Sequence, residues 1–202
     1  NLPCTVCAHT RDQKVWELQL EPEGKTNILN NIYVGQIENI ASNIQAAFIR
    51  LGKDLNGYLP LGQAEQAIHT SGQKAAALRP GDEILVQVSR EAMKGKLPAL
   101  TTNLNFSGKY LVLTTGNRKI GFSNKLSKEE RRILNQWLEE ERLDPAREYG
   151  IIVRTNSREA SKEDFFRELT WLKSRYKKVA VHGRNRTCFS LLYEAEPFYL
   201  AA

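Results

Sequence analysis

Phe48 and Tyr58 stand in the stretch NIQAAFIRLGKDLNGYLPL with Arg50 and Lys53 between them, and Lys94 and Lys96 follow in SREAMKGK. Rings beside positive charge suit a single-stranded nucleic acid. A base of any identity stacks on an aromatic side chain for about 1–3 kcal/mol, while the charges pair with phosphates. The competing use of two such rings is to cover an interface between domains. A second group is Arg154-Thr155 at the end of GIIVRT, where a guanidinium fork, a hydroxyl and loop N–H groups can converge on a phosphate. An arginine at a strand end equally suits an ion pair, for which Glu159 and Glu163 are the candidates. Cys4 and Cys7 form one C-x-x-C, but a structural zinc needs four ligands, and Cys188, His9, His69 and His182 are scattered singly. The pair is read instead as part of a strand, on which residues three apart point to opposite faces. Carboxylates cluster in EEERLD and SKED, which read as exposed helix faces and first-turn charges. No acidic pair falls on adjacent strand ends where it would hold Mg²⁺ and orient a water.

Strand alternation assigns the two rings to a surface. In AAFIRLG, Ala47, Ile49 and Leu51 share one apolar face, which leaves Phe48 and Arg50 on the other. In GYLP, Leu59 belongs to the core face, so Tyr58 points outward, and the turn from Gly52 to Gly57 brings the rings together. The same period runs through IYVGQIENI, GYLPL and EILVQVS, spaced by Gly-containing turns, which is the pattern of a small barrel or sandwich. Ahead of it, KVWELQL alternates as β and EPEGKTN is a polar connector, so a hairpin is expected between Leu2 and about Leu20. Beyond Thr101 strands and helices alternate. KYLVL turns at TTGN into KIGFS, and a helix follows from a capping box of Ser127 with Glu130, carrying Ile133, Leu134, Trp137 and Leu138 as its stripe. Asp144-Pro145 is expected to end it. GIIVRT then reads as a buried strand, and a second capped helix starts near Ser161 with Phe165, Leu169, Leu172 and Tyr176 inward. The fold class is α+β.

Composition agrees with an ordinary globular protein: 202 residues, 41% hydrophobic, 26% charged, with a net charge of +6 that favours a polyanionic partner without requiring one. The longest apolar runs, YLVL and GIIV, fall far short of the roughly 20 residues of a membrane span. Three cysteines fit a reducing cytoplasm rather than a disulfide framework. The first residue is Asn1 rather than Met, and the last residues read as the start of a new element, so a piece of a longer chain is expected.

The stretch NIYVGQIENIASNIQAAFIRLGKDLNGYLPL resembles the S-one-type OB-fold β-barrel in the form carried by the ribonuclease E/G family. RPGDEILVQVSREAMKGKLPALTTNLNFSGKYLVLTTGNRKIGFSNKL and GIIVRT resemble the same family in the same order. The resemblance implies first RNase H-like strands over residues 1–25, an RNA-binding OB-fold over 26–100, a 5′-sensor α+β subdomain over 101–190, and a return to the RNase H-like part from 191 to 202. It implies RNA stacking on Phe48 and Tyr58, with Lys96 as the substrate-contacting lysine, Lys94 as its competitor and Arg50 beside them. It puts a 5′-phosphate pocket on Gly108, Val112, Arg154 and Thr155. Asn124-Lys125 stand where the family often has two arginines, which weakens part of that surface. The implied protein is a cytoplasmic, single-strand-specific endoribonuclease of RNA processing and decay. Single-stranded RNA, preferably 5′-monophosphorylated, would be its partner, and homo-oligomerisation of the full-length protein is left open. Its catalytic Mg²⁺ and structural Zn²⁺ would lie in later domains, so this stretch by itself is expected to be inactive. The alternative reading is a free-standing RNA-binding regulator without a nuclease domain.

Overall fold

The computed structural model of the chain describes residues 4–11, 13–22, 27–65, 67–71, 77–92 and 95–195. It opens with an antiparallel hairpin, β1 (Cys4–Arg11) and β2 (Lys14–Pro22), turned at Gln13 in the left-handed region (φ 61°). Among the described residues these two strands pair only with each other, so the expected hairpin is present, while nothing in it defines an RNase H-like subdomain. Cys4 and Cys7 both lie on β1, but their side chains, with those of His9 and His182, fall outside the described residues, and so does the expected divergence of the two sulfurs.

Five strands then close into a barrel: β3 (Ile32–Ala41), β4 (Ala46–Arg50), β5 (Asn56–Pro60), β6 (Glu83–Arg90) and β7 (Ala99–Thr101). β3 pairs with β4, β4 with β5, β5 with β7, β7 with β6, and β6 returns to β3; only β5–β7 is parallel. Closure removes the exposed edges that an open sheet of this size would present. The period of two decides what fills it. Tyr33, Ile37, Ala47, Ile49, Leu51, Leu59, Ile84, Val86, Val88 and Leu100 form the interior, each large apolar side chain contributing about 1.5–3 kcal/mol by leaving water. Gly57 is required by closeness: a Cβ there would lie 2.5 Å from Leu100 Cδ1.

The remainder is β8 (Asn105–Ser107), β9 (Leu111–Thr114), β10 (Ile120–Phe122), α1 (Lys128–Glu140), β11 (Gly150–Val153), α2 (Lys162–His182) and β12 (Leu191–Tyr193). The sheet order is β10-β11-β9-β8, with β10 parallel to β11 and the other pairs antiparallel. KYLVL and KIGFS, which the TTGN turn links, are therefore not paired with each other, because the apolar strand β11 is inserted between them. Nor is β11 buried on both faces. Ile151 and Val153 are buried, whereas Ile152 is 41% exposed, so one face of the sheet carries the helices and the other is open.

Both helix starts follow their caps. Ser127 and Glu130 form a reciprocal capping box, and Ser161 Oγ accepts from the backbone N–H of Asp164. α1 buries Leu134 and Leu138 and partly buries Trp137, but Ile133, at the margin of the stripe, is 39% exposed. The helix also stops before Asp144-Pro145, where Arg142 takes a left-handed conformation (φ 47°). α2 buries Phe165, Leu169 and Leu172, with Tyr176 half-buried against them.

One core joins the two parts. Ile32, Val34 and Leu85, which point out of the barrel, pack in the same cluster as Phe106, Leu111, Phe165 and Leu172, and β12 pairs with the start of β3. No helix among the described residues is long and apolar enough to cross a membrane.

Candidate nucleic-acid interface

Phe48 on β4 and Tyr58 on β5 are register partners, so their side chains leave the barrel side by side. Their neighbours Ala47, Ile49 and Leu59 are fully buried inside it. The rings meet edge to face, with centroids 6.4 Å apart and planes inclined by 63°. They line an open groove of about 610 Å³ together with Arg90, Glu91, Lys96, Leu97 and Ala99. The end of β6 supplies Arg90, and the segment entering β7 supplies Lys96 and Leu97, so three parts of the barrel converge there. Leu97 is 43% exposed and extends the apolar floor. Among the described residues two cations against one carboxylate leave the groove with an excess of positive charge beside two π faces, the combination that holds a flexible strand of stacked bases.

Arg50 shares the outer face with Phe48 but is not part of this groove lining. Its Nη2 donates to Gln36 Oε1 at 2.8 Å, its Nε lies 3.4 Å from Glu38 Oε1, and its guanidinium sits 4.8 Å from the centre of the Phe189 ring. The register partner Gln36 and a segment nearly 140 residues later thus claim a charge that local alternation assigned to the rings. Lys94 lies outside the described residues. Arg90, the arginine of SREAMKGK, is the cation that the end of β6 brings to the groove.

The second group lies where parallel strands β10 and β11 end together. Arg154 follows Val153 on the exit of β11, and Ser123 follows Phe122 on the exit of β10, with the Ser123 N–H donating to Val153 O at 2.8 Å. The Thr155 and Ser123 hydroxyls are hydrogen-bonded at 2.8 Å. One hydroxyl can donate to the other, which leaves one O–H and spare lone pairs for a ligand. The exposed Arg154 guanidinium donates through Nη1 to the carbonyl of Gly108, and among the described residues no other side-chain partner engages its remaining N–H groups. Among the described residues neither Glu159 nor Glu163 pairs with it. Val112 pairs across the sheet with Ile152, so both stand on the open face that leads to Arg154. The fold therefore brings Gly108 and Arg154 into contact, sets Thr155 beside Ser123, and aligns Val112 with Ile152. Asn124 and Lys125 are exposed in the adjacent loop, which Arg131 holds through the carbonyls of Ser123 and Leu126 at 3.1 Å each.

Sequence reasoning missed Ser123, Ile152 and Glu168. Ile152 has a signal that period-two alternation could have supplied, since it lies two positions before Arg154 on one strand. Ser123 depends on a parallel pairing that no local pattern announces. Glu168 lies on α2 and accepts from three successive backbone amides, Lys109 at 2.8 Å, Tyr110 at 2.8 Å and Leu111 at 2.7 Å.

Fold and groove together define the class: a mixed α+β protein built on a closed five-strand barrel, consistent with an OB-fold. Comparison with known proteins makes it specific. The model of the Ribonuclease E/G family matches residues 105–202. Ribonuclease E of Buchnera aphidicola subsp. Acyrthosiphon pisum is 30% identical over 190 residues, 90% of this chain and 21% of that relative. Ribonuclease E of Escherichia coli (strain K12) is 29% identical over 90% of this chain and 18% of its own length. Ribonuclease G of Haemophilus influenzae is 28% identical over 81% of this chain and 35% of its own. The family model and these relatives agree, so what the chain is similar to, over most of its length, is ribonuclease E and ribonuclease G. The chain spans about a fifth of the length of the ribonuclease E relatives it matches first, 21% and 18%.

Proposed function

We propose that this chain is the RNA-recognition part of a single-strand-specific endoribonuclease, binding unpaired RNA along the barrel groove and the 5′-terminal phosphate at the end of β11. The observation that carries the reading is the register pairing of Phe48 with Tyr58, which sets two rings side by side over a groove edged by Arg90 and Lys96. Bases stack on such rings without regard to sequence, and the cations neutralise the backbone. Residues at the strand exits support the 5′-end reading, since Arg154 offers a guanidinium held at one N–H, Thr155 and Ser123 offer a hydroxyl, and Val112 with Ile152 offers an apolar floor. No group of three His, Cys, Asp or Glu side chains able to hold a metal ion occurs among the described residues. Magnesium and zinc are assigned, as the family resemblance implies, to other parts of the enzyme.

The test is anisotropy titration of an unstructured oligoribonucleotide. Phe48→Ala and Tyr58→Ala should each weaken binding by about 1–3 kcal/mol, the value of one stacked base, with melting temperatures close to wild type because neither ring fills the barrel interior. Affinity should also fall as salt rises. Unchanged affinity in both variants would remove the groove from the reading.

A further inference from the structure

We propose that Glu168 is the positioning residue of the 5′-end pocket, fixing the Gly108–Leu111 turn from α2 and, through that turn, the guanidinium of Arg154. The inference rests on the 5′-phosphate reading above. Glu168 Oε2 accepts from the N–H of Lys109, and Oε1 accepts from those of Tyr110 and Leu111. Three convergent amides make a concave anion site, and here a side chain of the same chain fills it. The carbonyls of the turn face the other way. That of Gly108 accepts from Arg154 Nη1, and that of Tyr110 accepts from the Arg154 backbone N–H at 2.7 Å and from Ser157 Oγ at 2.7 Å.

The two sides are covalently the same groups. The carbonyl of Gly108 and the N–H of Lys109 belong to one peptide unit, so a carboxylate pulls on its N–H end while a guanidinium sits on its oxygen. The Tyr110 carbonyl and the Leu111 N–H form a second unit arranged in the same sense. Each bond polarises the peptide in the direction that strengthens the other, so an anion on α2 holds the cation without touching it. Gly108 is part of the device, because a Cβ there would stand 2.4 Å from the Glu168 carboxyl carbon. Glu168 thus holds one N–H of Arg154 inward, which orients the rest of the fork for an incoming phosphate.

The experiment measures one RNA with a 5′-monophosphate and with a 5′-hydroxyl on wild type, Arg154→Ala, Glu168→Gln and Glu168→Ala. Wild type should prefer the phosphate, with a ceiling of about 10- to 150-fold set by one charge-assisted bond. Arg154→Ala should abolish the ratio, and both Glu168 variants should lose most of it. The amide protons of Lys109, Tyr110 and Leu111 should move upfield in Glu168→Gln, and the Arg154 Nε–H resonance should move with them. If Glu168→Ala does not fold, Glu168→Gln decides. A wild type without preference overturns the 5′-phosphate reading and the inference with it. A wild type that discriminates alongside Glu168 variants that keep its ratio, even with both affinities lowered, overturns the inference alone.

Discussion

The contact between Gly108 and Glu168 can be tested by stability alone, without RNA. An alanine at 108 would bring its Cβ within 2.4 Å of the Glu168 carboxyl carbon and of Oε1, and 2.8 Å from Oε2, separations that folded proteins do not tolerate. The backbone at 108 is outside the left-handed region, so the residue itself can accept a side chain and the cost comes from the carboxylate. Displacing it strips three amides of a charged acceptor. A hydrogen bond to a charged group nets about 1.5–3 kcal/mol, but the turn is partly exposed and water replaces some of what is lost, so Gly108→Ala should cost about 2–4 kcal/mol. Once Glu168 is already alanine, the same substitution should cost less than about 0.5 kcal/mol, because the obstacle is gone and alanine stiffens the unfolded chain. The measurement is urea denaturation of wild type, both single variants and the double variant, read as a double-mutant cycle. The coupling should exceed about 1.5 kcal/mol. Additive effects of the two substitutions would show that the carboxylate is not seated against Gly108, and the positioning argument would fall with it.

Two further outcomes follow from other parts of the molecule. The capping-box bonds from Ser127, its backbone N–H foremost, hold the Glu130 carboxyl below the ordinary glutamate range. With the folded value depressed, the stabilisation is present above the unfolded value and is lost as pH falls through the folded one. Thermal melts taken from about pH 5 down to about pH 3 should therefore decline less steeply in Glu130→Gln than in wild type, and parallel curves would refute it. Separately, these 202 residues incubated with Mg²⁺ and labelled single-stranded RNA should give no cleavage above a protein-free control, and cutting abolished by a carboxylate substitution within them would overturn that expectation.

What the sequence disclosed and what it hid divide along the range of the interactions. Strand alternation is local, and it placed Ala47, Ile49 and Leu59 inside the barrel and Phe48 and Tyr58 outside it, where the structure has them. Caps are local too, and Ser127 and Ser161 start the two helices. Some misreadings are local, such as the exposure of Ile133 on α1 and of Ile152 on β11, but those that bear on the candidate site involve partners distant in the chain. Arg50 carries the period of its strand, yet Phe189 and Glu38 decide where its charge goes. β10 lies close to β9 in sequence, yet β11 takes the place between them, and only that parallel pairing sets Ser123 against Thr155. Glu168 is a polar residue in the first half of a helix and would pass for a solvated one, but its acceptor role faces amides 57 to 59 residues earlier.

The same long-range logic ties the two candidate surfaces together. Gln87 on β6 is buried, and its amide bridges the seam with both donors and its oxygen engaged: Nε2 donates to Asn30 O and Asn105 O at 2.9 Å, and Oε1 accepts from the Asn105 N–H at 2.8 Å. Asn105 begins β8, and β8 runs directly into the Gly108 turn that holds Arg154. On its other side β6 ends at Arg90, which lines the groove. A buried amide held by three hydrogen bonds is costly to disturb, because breaking one leaves a desolvated group behind. The groove and the turn therefore sit at two ends of one braced connection, strand β6 to strand β8, rather than on parts free to drift. An RNA whose 5′ end rests at Arg154 would meet Phe48 and Tyr58 at a distance fixed by that brace.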